Sequence, residues 1–365
     1  MDAEPITPKW GEGCVADLIP AILEPGETDS LLPAEVVDAS CVVVLVFDGL
    51  GWAQLKDRAH LAPTLCSLAG GPITTVAPST TAAALTSITT GTAPGEHGIV
   101  GYRIDVDGEA LNMLAWRTPR GDARDRLVPE EFQTLAAFSG QRPVVVQNGI
   151  FMRSPFTRAH LAGTRQHGYW TLPTLPVQIR QAVAAGEPFV YAYYDGIDKI
   201  AHTHGFGEHY DAELAACDQI VADLLMMLPR GTALVVTADH GLVDCGSGRT
   251  TLDDSLLPML DRQSGEARFR WLHAEAGRTK DLLAAAVENH DDRAWVRSVD
   301  QILDEEWFGP IVTDTARSRL GDVALVARDH WWFVDPAESN RAELIGRHGS
   351  LTPDEMFVPL ITFHS

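Results

Sequence analysis

The sequence predicts an α/β protein: a mostly parallel central sheet flanked by helices on both faces, with a small α+β insertion late in the chain. Three observations predict it. Apolar, β-branched runs recur at residues 41–47, 143–148, 188–194 and 232–237 without the polar alternation of a half-exposed strand. Helix-period segments separate them, and strands taking turns with helices build a parallel sheet. After residue 243 this rhythm stops, short strand-like runs accompany one helix, and the rhythm returns near residue 342. The chain therefore divides into a main domain, 1–243 with 342–365, and an insertion, 244–341.

Composition bounds the function before any motif does. At 365 residues, 45% hydrophobic and 21% charged, the chain is an ordinary globular protein long enough for one large domain carrying a smaller one. No run of about 18 uncharged apolar residues occurs, so no membrane span is expected. The start, Met1-Asp2-Ala3-Glu4-Pro5, lacks a basic segment followed by an apolar one; no signal peptide and a cytoplasmic location are expected. The five cysteines (Cys14, Cys41, Cys66, Cys217, Cys245) form no C-x-x-C pair and read as reduced thiols. The net charge of −22, with lysine only at 9, 56, 199 and 280, excludes general binding to a nucleic-acid polymer. A small anionic substrate requires bound cations or helix termini to reverse the field locally.

Residues 1–40, rich in Pro, Gly and acids, read as a wrapping around the domain. The run Cys41–Phe47 suits a strand buried on both faces, and it ends in Asp48-Gly49. A carboxylate there lies where open α/β sheets bind ligands, or else caps the next helix. Pro78-Ser79-Thr80-Thr81 precedes an alanine-rich run, which places the hydroxyls at a helix N-terminus. They serve as N-caps, or Thr81 points out of the helix start toward an anion. The helix closes at Thr90-Gly91, and a glycine-punctuated loop from Pro94 to Tyr102 follows. Residues 103–140 are polar and irregular.

Pro143–Asn148 reads as a second buried strand. Arg153, Arg158, His160, Arg165 and His167 then line an anion pocket or, more simply, form solvated loop charge. A helix spans 174–184, and Pro188–Tyr194 is a third strand. Asp198 and His202, spaced i, i+4, share one face of a helical turn and can share a metal, or form a surface pair. In the amphipathic helix from Tyr210 to Leu228, Asp218 and Asp223 read as solvated and without a role. Thr232–Thr237 is a fourth strand, and Asp239 and His240 reach one ion only if the strand breaks, which Gly241 eases. In the insertion, short strands at 267–273, 294–299, 323–327 and 331–334 with a helix near 280–289 suggest a separate small core. Gly346-Arg347-His348-Gly349 precedes a closing strand at 356–363.

One sheet edge thus gathers three Asp, at least two His and an oriented hydroxyl, a ligand mix that suits zinc, with manganese second. Five motifs stand in order: Phe47-Asp48-Gly49, Pro78–Thr81 with Thr90-Gly91 and His97-Gly98, Asp198-x-x-x-His202, Ala238-Asp239-His240-Gly241, and His348-Gly349. Together they resemble the alkaline phosphatase superfamily, above all its nucleotide pyrophosphatase/phosphodiesterase branch, from about residue 42 to the end.

The resemblance implies an alkaline phosphatase-like fold and two zinc ions, one held by Asp198, His202 and His348, the other by Asp48, Asp239 and His240. It implies Thr81 as a nucleophile coordinated to the second ion, chosen over Thr80 by its distance to Thr90-Gly91. The implied activity is hydrolysis of phosphodiester or pyrophosphate bonds in small molecules such as nucleotides, through a phosphothreonine. Phosphomonoesterase, phosphonate hydrolase and phosphomutase share the metal core, the last with the insertion as its cap. A sulfatase is disfavoured because no Cys-x-Pro-x-Arg occurs, and a non-enzymatic metal-stabilised binding protein fits least. One departure stands out. Where the branch carries an asparagine that contacts a phosphoryl oxygen, this chain has Tyr102, followed by Arg103, whose charge suits a monoester.

Overall fold

The computed structural model describes residues 4–24, 31–338 and 344–364. Eleven strands matter to the site. In chain order they are β1 (Cys41–Phe47), β2 (Ala69–Thr74), β3 (Val144–Asn148), β4 (Arg165–Tyr169), β5 (Phe189–Tyr194) and β6 (Thr232–Thr237). In the insertion come β7 (Leu260–Gly265), β8 (Phe269–Ala274), β9 (Ala294–Ser298) and β10 (Val323–Ala327), and β11 (Phe357–His364) closes the chain. The central sheet has seven strands in the order β2-β11-β6-β1-β5-β3-β4. From β6 to β4 every pairing is parallel, and β11 runs antiparallel to both neighbours.

The apolar runs became the central strands for the expected reason. Every residue of β1 and of β6 is buried, so neither could tolerate polar alternation. The edges differ. β2 (Ala-Gly-Gly-Pro-Ile-Thr) and β4 (Arg-Gln-His-Gly-Tyr) are largely exposed, and neither reads as a strand from its sequence. Residues 103–122, polar in sequence, fold as a small four-stranded antiparallel meander.

Helices flank the sheet. Those used below are α1 (Pro63–Ser67), α2 (Thr81–Thr90), α3 (Pro155–His160), α4 (Leu175–Ala184), α5 (Gly196–His204), α6 (Glu208–Met227) and α7 (Thr279–His290). No described helix is long and apolar enough to cross a membrane. Asp218, expected to be solvated, is buried in α6 and accepts the backbone N–H groups of Thr64 and Leu65 at 3.2 and 2.7 Å. Those are two of the donors that a helix start leaves unpaired, so Asp218 caps α1 from a neighbouring helix. Asp223 is half-buried and accepts from Gln219 one turn away.

The insertion forms a four-stranded antiparallel sheet, β7-β8-β10-β9. Its two faces go to different places. Leu272, Leu282, Val323, Leu325 and Phe333 build a separate cluster with α7. Phe269, Trp271, Ala324 and Val326, one position out of phase, join the main core. The expected independent core is thus only half of the insertion's packing. Fully buried Arg268 completes the seam by pairing with fully buried Glu355 at 2.7 Å. Residues 339–341 of the expected insertion lie outside the described residues.

Candidate functional site

Three adjacent parallel strands, β6, β1 and β5, release their chains at one edge of the sheet. Asp239-His240, Asp48 and the α5 segment with Asp198 follow them directly. Backbone hydrogen bonds stitch these ends together: Asp48 N–H to the Tyr194 carbonyl at 2.8 Å, and Asp198 N–H to the Asp48 carbonyl at 3.1 Å. Gly49, at φ +77°, turns the chain so closely past α5 that a Cβ would meet the Cβ of Asp198 at 3.0 Å. Its N–H donates to Asp239 Oδ1 at 3.1 Å.

Two tight groups of candidate ligands result. The donor atoms of Asp48, Asp239 and His240 lie within 4.8 Å of one another, as do those of Asp198, His240 and His348. The resemblance put His202 in the second group. His202 is adjacent to it: its Nε2 is 3.1 Å from Asp198 Oδ1, while His348 Nε2 is 3.8 Å from the same oxygen. The i, i+4 spacing on α5 delivers that contact. His202 Nδ1 donates to the Gly346 carbonyl at 2.7 Å and His348 Nδ1 to the Ser79 carbonyl at 3.0 Å, which leaves both Nε2 atoms facing inward. His240 stands between the groups, with its ring stacked 3.6 Å from that of His348.

The electrostatics ask for cations. Asp48 Oδ1, Asp198 Oδ1 and Asp239 Oδ2 are buried without a hydrogen-bond partner. Burial and the charges of Asp239 and Asp198 push the Asp48 carboxyl well above its usual range. Burial also raises Asp239, against the pull of His240. For Asp198, burial is outweighed by His202, His348 and His240, which hold its carboxyl below its usual value. Burial and the neighbouring His240 keep His348 neutral, the form in which an imidazole ligates. Three carboxylates and three imidazoles so arranged fit a two-cation site.

The hydroxyls at the start of α2 divide their roles. Ser79 Oγ donates to the Ser350 carbonyl at 2.6 Å and accepts from Gly349 N–H at 3.1 Å. Thr80 occupies the N-cap position but makes no capping bond. Thr81 Oγ1 lies 3.1 Å from His240 Nε2, half-buried, at the helix start. A cavity of about 260 Å³ opens beside Thr81, Asp48 and Asp198. Leu85, Leu114, Phe151 and Phe156 make much of its wall, and Lys199, paired with Asp195, brings a cation to it.

Tyr102 and Arg103 do not line this cavity. The Tyr102 hydroxyl accepts from Asn112 at 2.6 Å, and buried Arg103 pairs with Asp335 at 2.6 Å. Of the Arg/His cluster, Arg158 and Arg165 pair with Glu130 and Glu187 at the surface, as expected of loop charge. His160 departs from that expectation: it is buried, stacks on Phe156, and lines the cavity. Tyr193 was also missed. It sits in the apolar β5 run, and its hydroxyl donates to Asp48 Oδ2.

A mostly parallel sheet that collects acids, imidazoles and a helix-start hydroxyl at its C-terminal edge defines a phosphoryl-transfer class of site. The family profile of type I phosphodiesterase / nucleotide pyrophosphatase matches residues 42–351. The chain belongs to that family, within the alkaline phosphatase superfamily. Murine ectonucleotide pyrophosphatase / phosphodiesterase 5 superimposes with a TM-score of 0.64 at 16% identity, covering 89% of this chain and 88% of that one. An inactive variant of the murine protein, in complex with AMP, gives a TM-score of 0.63 at 16% identity over 88% and 87% of the two chains. The human counterpart gives 0.67 at 14% identity over 89% and 88%. No curated protein matches the sequence significantly.

Proposed function

We propose that the chain is a two-metal hydrolase of phosphodiester or pyrophosphate bonds in small molecules such as nucleotides, with Thr81 as its nucleophile. Membership of the phosphodiesterase family supports the reaction class. The observation that carries the finer proposal is the Thr81 hydroxyl, 3.1 Å from His240 and beside three carboxylates with unpartnered buried oxygens. Asp48, Asp239 and His240 would hold one zinc, and Asp198, His202 and His348 the other, with manganese as the second choice. When bound, such ions supply Lewis acidity and neutralise phosphoryl charge.

The chain's own groups do the rest. Thr81 loses its proton to solvent and its oxygen bonds to phosphorus, while the bond from phosphorus to the leaving oxygen breaks in line and the leaving group takes that electron pair. The N–H groups that a helix start leaves without an intrahelical partner would be available at the start of α2 to phosphoryl oxygens. Water then cleaves the phosphothreonine and restores Thr81. The AMP bound to the murine relative agrees with a nucleotide-sized substrate. Arg103, the feature that suits a monoester, is engaged with Asp335, which favours the diester reading. Five unpaired cysteines support a reducing, cytoplasmic setting as part of the same proposal.

Turnover of a chromogenic diester by zinc-loaded protein tests this. Thr81→Ala should lower kcat by several orders of magnitude while leaving metal content unchanged, and Thr81→Ser should keep part of the rate. Acid trapping should place phosphate on Thr81. Normal turnover by Thr81→Ala, or phosphate on Thr80 or Ser79, would sink the proposal.

A further inference from the structure

Glu266 is an acidic side chain of the insertion that the mechanism above leaves unused. It lies in the turn from β7 to β8, where its N–H and carbonyl exchange hydrogen bonds with Phe269 at 3.0 and 3.2 Å. The turn inserts its side chain into the main domain, where only 7% of the residue is exposed. Its Oε1 is buried without a partner in strict hydrogen-bond geometry. A Cβ at Gly101 would stand 3.3 Å from that oxygen, and the Thr80 side chain and the Tyr102 backbone favour the ionised carboxylate. Thr80 itself is 1% exposed and makes no side-chain cap bond to the helix.

On the other side lies Gly349. A Cβ there would stand 2.8 Å from Glu266 Cγ, and the φ of +122° disfavours any side chain, so the glycine is what admits the glutamate. Glu266 thus packs against Gly349, next to His348, and acts electrostatically on Thr80, next to Thr81. Those two segments already meet through Ser79, which bonds Gly349, Ser350 and His348. Burial pushes the Glu266 carboxyl up to about 8, against the pull of Thr80, Tyr102 and Arg270, so at neutral pH it adds little charge to an acidic neighbourhood.

The geometry points to Glu266 as a positioning residue, delivered by the insertion, that fixes the Thr80–Thr81 turn against the His348–Gly349 loop and thereby sets the line of attack of Thr81. It touches no reacting atom. This rests on the reading of Thr81 as nucleophile, so Thr81→Ala must be run beside it.

The test uses the zinc-loaded full chain and reads kcat, KM, metal content and thermal midpoint together. Glu266→Ala should lower kcat at least tenfold, as a small misplacement of a reacting group does, with KM within about twofold and both metals retained. Glu266→Gln, the neutral isostere, should recover kcat to within about threefold. Should Glu266→Ala fail to fold, Glu266→Asp decides: a loss of several-fold in kcat with metals retained supports positioning, and wild-type kcat overturns it. A wild-type kcat in Glu266→Ala, an equal loss in Glu266→Gln, or a loss that tracks metal content or unfolding also overturns it. If Thr81→Ala turns over normally, the nucleophile reading has failed instead.

Discussion

Three consecutive hydroxyls, Ser79, Thr80 and Thr81, act on three different parts of the chain: the C-terminal loop, the Glu266 carboxyl of the insertion (through its charge) and His240. Spacing alone could place them at a helix start but could not divide those roles, because each partner is remote in sequence. Asp48, Asp198, Asp239 and the two histidines beside them were legible because each follows a strand that reads clearly as buried. Tyr193 was not, since one hydroxyl in an apolar run looks like core. Burial and the Asp48 charge push the Tyr193 hydroxyl well above its usual range, so it stays protonated and donates. Tyr193→Phe would strip Asp48 of that bond while leaving the ring's packing. Metal affinity should fall about 10- to 100-fold, the usual cost of losing a partner that orients a ligand. Competition against a chromogenic chelator measures it, and an unchanged affinity would show that Asp48 needs no such support.

At the scale of elements, legibility followed burial. β1, β3, β5 and β6 are interior strands and announce themselves as apolar runs. β2 and β4 are edges, with one side open to solvent, so polar residues and glycines suffice there. Asp218 shows the converse error: its helix looked amphipathic, and an acid within it looked solvated. What decided its burial was the start of α1 packed against α6, a tertiary fact. Asp218→Ala should therefore destabilise the fold by about 1 kcal/mol, within the range for lost helix caps. Urea denaturation should show a lower midpoint with an unchanged slope, and kcat should stay at the wild-type value. A midpoint equal to that of the wild type would mean that water replaces the carboxylate at no cost.

For the whole molecule the dominant quantity is charge. A chain of net charge −22 gathers buried Asp48 and Asp239 and half-buried Asp198 in two adjoining groups that share His240, with half-buried His348 in one of them. Among the described residues only histidines, and no lysine or arginine, pair with those acids, while Arg103, Arg268 and Arg270 are engaged with other carboxylates in the seam to the insertion. Under the two-cation proposal, ions bound by the folded state alone would stabilise it as well as serve the reaction. Each site filled at a hundred times its dissociation constant adds about 2.7 kcal/mol, so two add about 5 kcal/mol. For a chain of this size that should raise the thermal midpoint by roughly 5–10 °C. Calorimetry on zinc-loaded protein, after chelation and after zinc is restored, should show the midpoint fall and return together with diesterase activity. His348→Ala, which empties one side of the cluster, should retain a smaller shift and little activity. A midpoint indifferent to chelation would mean that the buried acids are accommodated by protonation, and the two-cation proposal would have to be abandoned.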